Sequence, residues 1–99
     1  MLHTVNKSPF DHRTFETCLK FATAGSAVLL IEDGVYAAVS GTAVSTRVQE
    51  AMGKVSIYAL KPDVEARGMQ NRVMDGIRLV DYGGFVDLVT EHNAVQSWI

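Results

Sequence analysis

The stretch Ser26-Ala27-Val28-Leu29-Leu30-Ile31-Glu32-Asp33-Gly34 decides how the rest of this sequence is read. Five consecutive apolar residues, Ala27 to Ile31, run straight into two carboxylates and a glycine, so the element is too short for an ordinary helix and stops at an acidic turn. That pattern is a buried strand. A strand covered on both faces has no solvent side on which to alternate polar residues, which is why parallel strands between helix layers read as unbroken apolar runs. The neighbouring segments must therefore supply two covers.

Working outward toward the N-terminus, Ser8 is placed to cap a helix with Pro9 at its first position and Asp11 three residues after the cap, and the helix is expected to run to about Ala24. Phe15, Leu19 and Ala22 share one face of it, Cys18 lies at the edge of that face, and Gly25 ends it in a left-handed conformation. Before it, Leu2-His3-Thr4-Val5 is a first strand. Toward the C-terminus, Val35 to Val39 predicts a short helix, and Ala43 to Met52 a weaker amphipathic one closed by Gly53. Lys54 to Leu60 alternates and is rich in β-formers, a third strand. Pro62 starts one helical turn that Gly68 stops, and Met69 to Gly76 is a connector. Ile77 to Val80 is a fourth strand, after which Asp81 caps a helix with Phe85, Leu88, Val89 and His92 on one face. Val95 to Ile99 is expected as a fifth strand at the sheet edge, its direction left open. Strands alternating with helices at this spacing predict an α/β fold, a three-layer α/β/α sandwich on a mainly parallel sheet of about five strands.

The chain has 99 residues, room for a single domain over residues 1–99. Its 47% hydrophobic and 20% charged residues make a globular balance with no long disordered tail. Nine basic residues are scattered from Lys7 to Arg78 and the net charge is -2, so a nucleic-acid footprint is not expected. No apolar run approaches a membrane span and no leader pattern opens the sequence, so a cytoplasmic location is expected.

In a parallel sheet the working edge is the carboxyl end of the strands. Those ends read Asn6-Lys7-Ser8, Glu32-Asp33-Gly34, Leu60-Lys61-Pro62 and Asp81-Tyr82-Gly83, all of them ordinary turn and cap residues that nonetheless define one rim. There is no glycine-rich phosphate loop, and Glu32-Asp33 would repel phosphate, so no nucleotide or other cofactor is expected. The three histidines, His3, His12 and His92, are too dispersed for a metal motif. The one cysteine, Cys18, is either a small buried hydrophobe or a sulfur-carrying thiol, the second needing exposure and a lowered pKa. Its place beyond the first helical turn gives it little help from the helix dipole. Without a base or an oxyanion-hole motif, an independent thiol enzyme is disfavoured.

Several segments in order resemble the DsrH/TusB family of sulfur-relay proteins. They are Leu2-His3-Thr4 with Lys7-Ser8-Pro9-Phe10, Leu29 to Ala38, Tyr58-Ala59-Leu60 with Asp63 and Ala66-Arg67-Gly68, Val80-Asp81-Tyr82 with Phe85-Val86, and Gln96-Ser97-Trp98. The resemblance implies a subunit of a heterohexamer with DsrE/TusD-like and DsrF/TusC-like chains, relaying persulfide sulfur to a DsrC/TusE-type carrier. It also implies that the main sulfur-accepting cysteine belongs to the DsrE/TusD chain. Cys18, within Glu16-Thr17-Cys18-Leu19-Lys20-Phe21, matches a cysteine typical of the DsrH branch, which serves sulfur oxidation; the alternatives are the TusB branch, which serves tRNA 2-thiouridine synthesis, and a purely structural subunit. On this reading Trp98, Phe85, Tyr36 and the segment Val35 to Val39 are expected to meet partner chains.

Overall fold

A computed structural model describes Met1–Ile99. Five strands, β1 (Leu2–Val5), β2 (Ala27–Leu30), β3 (Ser56–Leu60), β4 (Arg78–Val80) and β5 (Val95–Trp98), form one sheet in the order β4-β3-β2-β1-β5. Every pairing is parallel, including β5 on β1, so the predicted α/β architecture is the observed one and the last strand has a direction. β2 occupies the middle of the sheet and all four of its residues are buried.

The helices are α1 (Thr14–Phe21), α2 (Ser45–Ala51), α3 (Lys61–Ala66) and α4 (Tyr82–Glu91), with 3₁₀ segments at Glu32–Ala38 and Gln70–Arg72. From β1 to β4 the chain steps in one direction across the sheet, and from β4 to β5 it returns past all of it. Right-handed connections then put α1, α2 and α3 on one face and α4 alone on the other. The side chains agree with this division. Alternate strand residues Val5, Val28, Leu30, Ile57 and Ala59 join Phe15, Cys18, Val48 and Val64 in a cluster of 18 buried residues. Leu2, Ala27 and Leu29, from the opposite pleats, pack with Leu88 of α4 in a cluster of only four. One cover is thick and the other thin.

Local chemistry explains where the observed elements depart from the expected ones. α1 begins at Thr14 and ends at Phe21, so it is shorter than the expected helix at both ends. Ser8 does not cap it: the Ser8 carbonyl accepts from the Asp11 and His12 amides and its Oγ from the Phe10 amide at 3.2 Å, closing a separate turn. Serine offers the backbone this non-helical alternative, and here the alternative wins. Gly25 is left-handed as expected (φ 87), but its N–H donates to the Lys54 carbonyl across the sheet, after α1 has already ended. Asp81 caps α4 through a 2.8 Å bond from the Gly84 amide, as the sequence predicts.

The segment Val35 to Val39 corrects an expectation. Val35, Ala37, Ala38 and Val39 are buried within the chain's own core, not offered to partners, and only Tyr36 of that run is partly exposed. The reason lies at Gly34. A Cβ there would collide with the Val5 carbonyl, so only glycine lets the 3₁₀ segment fold back against the end of β1 and cover the sheet.

Candidate functional site

Because the sheet is all parallel, the carboxyl ends of β1 to β4 lie on one rim, as the strand spacing predicts. The rim is closed by its own side chains. Arg67, just after α3, directs Nε (3.2 Å) and Nη2 (2.8 Å) to Asp33 Oδ1 and Nη1 (3.0 Å) to the Asp63 carbonyl, and its guanidinium lies 5.9 Å from the centre of the Tyr36 ring. The hydrogen bond to Asp33 raises the Arg67 pKa, against the opposing effect of burial, so the cation is fixed. Asp63 reaches the other way, its Oδ2 accepting from the Glu32 amide at 2.6 Å, where Glu32 holds φ 50. The acidic turn is thus strapped to α3. Sequence reasoning placed Glu32-Asp33 on this rim but missed Arg67 as its partner. The available signal was an arginine four residues after Asp63, a spacing that puts both on one side of a helical turn. Beside them Asn6 Oδ1 is buried without a partner.

The open space lies elsewhere. A cleft of about 610 Å³ separates the Ser8–Arg13 turn from α2, lined by Phe10, His12, Arg13, Glu16, Arg47 and Glu50 among others, and a 2.8 Å ion pair between Arg47 and Glu16 bridges its two walls. The cleft exists because α1 starts late. Had the helix begun at Ser8, Phe10, His12 and Arg13 would have been on its surface instead of in a turn facing α2.

Cys18 does not line the cleft or reach the rim. It has no solvent exposure and sits inside the large cluster with Phe15 and Ala22, at the centre of the α1 packing face and not at its edge as expected. Burial pushes its thiol up to about 12, so thiolate is scarce at neutral pH. Phe21, by contrast, is 69% exposed.

The histidines stay apart, and no three metal-ligating side chains converge. His3 is buried on β1, and burial, followed by the nearby N-terminal amine, lowers its pKa. Its Nδ1 accepts a 3.0 Å bond from Trp98 Nε1, which fixes the neutral ring with its proton on Nε2. Trp98 in turn stacks on Phe21 with ring centres 6.0 Å apart. Trp98, expected to meet a partner chain, has an intramolecular role, pinning β5 to β1. Phe85, expected there too, packs partly buried against the small cluster under α4.

No helix is long and apolar enough to cross a membrane. A family model described as DsrH like protein matches residues 7–95. Protein TusB of Pectobacterium parmentieri is 39% identical over 98 residues, covering 99% of this chain and all of that protein. Protein TusB of Escherichia coli O81 (strain ED1a) is 36% identical over the same coverage. Among solved structures, the ychN protein from E. coli superposes with a TM-score of 0.82 over 98% of this chain and 97% of its own, at 15% identity, a likeness of fold. Protein Tm0979 from Thermotoga maritima gives a TM-score of 0.65 at 25% identity, over 93% of this chain and 94% of its own.

Proposed function

Since this chain belongs to the DsrH family, we propose that it is a sulfur-relay subunit that helps build a sulfurtransferase complex and does not itself hold the travelling sulfur. Its companions are DsrE/TusD-like and DsrF/TusC-like chains in a cytoplasmic heterohexamer, with residues 1–99 acting as one domain and a DsrC/TusE-type carrier receiving the persulfide. The observation that carries this reading is the state of Cys18, the one thiol, which is sealed in the core and pushed up to about 12. A persulfide forms on an accessible thiolate, and Cys18 offers neither access nor charge. The closed rim points the same way, because Arg67 is engaged by Asp33 and the Asp63 carbonyl and the Asp63 carboxylate by the Glu32 amide.

Two branches of the family compete. The TusB relatives, 35–39% identical along the chain, support a part in tRNA 2-thiouridine synthesis. Cys18, in the position typical of the DsrH branch, supports sulfur oxidation as the second reading.

The test is co-purification of the chain from its host, followed by exposure of the complex to a sulfane-sulfur donor and mass spectrometry of each subunit. We expect the two sister chains to be recovered, an adduct of about 32 Da on the DsrE/TusD-like chain, and none on Cys18. An adduct here that is lost in Cys18→Ser would overturn the non-carrying role. Loss of 2-thiouridine from tRNA on deleting the gene selects the first branch, and its retention selects the second.

A further inference from the structure

β5 is fastened to β1 by few side chains, and one of those fastenings depends on a ring that can gain a proton. Val95, Gln96 and Ser97 are exposed, so beyond its backbone ladder the strand is held by the 3.3 Å bond between the Thr4 and Ser97 hydroxyls and by Trp98. Trp98 Nε1 can only donate, so its 3.0 Å bond requires a lone pair on Nδ1 of His3, a side chain only 4% exposed. A proton taken up by this imidazole must go to that same nitrogen, because Nε2 already carries one. Two N–H groups would then face each other, and a cation would be left buried. Nothing opposite in charge is placed to compensate it. β2 and β5 carry no charged side chain. On α1, Glu16 is paired with Arg47, Lys20 lines a small cavity against α2, and Phe21 is the residue that meets Trp98. His92, ahead of β5, is bonded to the Leu88 carbonyl of α4. Burial, and after it the positive N-terminal amine, both disfavour the charged ring.

We propose that the His3–Trp98 pair is a proton-operated catch on the last strand, closed while the imidazole is neutral and released when Nδ1 is protonated, so that β5 leaves β1 while the rest of the sheet stays folded. The catch does not rest on the sulfur-relay reading. Opening is local because β5 ends the sheet and has a single neighbouring strand, whereas α1 keeps its own packing through Phe15, Cys18 and Ala22 in the large cluster. What it uncovers is the outer edge of β1. The strand is thus the two-state element and the ring the group that biases it. In the opened strand His3 returns to its ordinary value of 6.5, so the catch is fully closed above that pH. As the pH falls further, the ratio of open to closed strand rises, by up to roughly tenfold at about pH 5.5.

Amide hydrogen exchange of the full chain, followed by NMR and corrected for the intrinsic rate at each pH, tests this. The Ala94 carbonyl accepts from the Leu2 amide at 3.0 Å, so in a parallel ladder the Gln96 and Trp98 amides turn toward β1 and report on the joint. We expect these two amides to be less protected than those of β2 at every pH, and their protection to fall by up to roughly tenfold between about pH 7.5 and about pH 5.5. His3→Gln, which takes up no proton, should abolish the fall. Trp98→Phe keeps an aromatic ring without the N–H and should leave both amides weakly protected even at the higher pH. Three outcomes would each overturn the proposal: β5 amides as protected as those of β2, a protection indifferent to pH, or a fall that survives His3→Gln. The first two are decided on the wild-type chain alone, and Trp98→Phe amides as protected as the wild type's at about pH 7.5 would overturn it as well.

Discussion

β2 and β5 are both four-residue parallel strands hydrogen-bonded to β1, yet they occupy different solvents. All of β2 is buried, whereas three of the four β5 residues are exposed and only Trp98 is partly covered. The backbone ladder on β1 is comparable for the two, so the difference lies in what the side chains touch. β2 is held by packing on both faces, and β5 by its ladder, the Trp98 contacts with His3 and Phe21, and a 3.3 Å bond from the Thr4 hydroxyl to that of Ser97. Stability should therefore be concentrated around β2, and the exposed side chains on β5 should be changed at little cost.

The most severe way to break the comparison is at the exit of β2. Gly34→Ala forces a methyl into the Val5 carbonyl and should cost about 3 kcal/mol or more, read by urea denaturation, or leave no soluble folded chain. Next, Leu30→Ala opens a cavity in the large cluster and should cost about 3 kcal/mol, while Val95→Ala on β5 should change stability by less than about 0.5 kcal/mol. Equal losses at the two positions would erase the distinction between the strands.

The third prediction concerns pH. His3 has a folded pKa below its ordinary 6.5, so the unfolded chain binds the proton first as pH falls. Its contribution is complete above about pH 6.5 and is lost as the pH drops from there through the lowered folded value. Denaturation midpoints should decline over that window, and His3→Gln, which cannot titrate, should flatten the decline. The smallest effect is expected at the rim. Arg67→Ala removes a partly exposed pair, with Asp33 61% exposed, and should cost about 1 kcal/mol or less, with urea midpoints as the measurement.

The strand pattern was legible because burial on two faces leaves an unbroken apolar run at β2 and turn chemistry marks its end. α4 was legible for a similar reason, its Asp81 cap being a local device. The start of α1 was not, because Ser8 carries a helix cap's chemistry and a tight turn's chemistry at once, and only the assembled chain decides between them. Nor could the run Val35 to Val39 be assigned to the interior, since that depends on Gly34 meeting Val5 from 29 residues away in sequence. Cys18 shows the limit for the candidate site. Its spacing from Phe15 and Ala22 put it beside the apolar stripe, but its depth is set by how closely α1 packs onto the sheet, a tertiary quantity with no local signature.

The bond between His3 and Trp98 also has a practical consequence. Trp98 is the chain's one tryptophan, so its ultraviolet emission reports from a single known place at the joint between β1 and the sheet border. A charged imidazole quenches a neighbouring indole more strongly than a neutral one, and a change in solvent access shifts the emission colour. The molecule thus carries its own optical label at the joint between its first and last strands, and the opening of that joint can be followed in real time without attaching a dye.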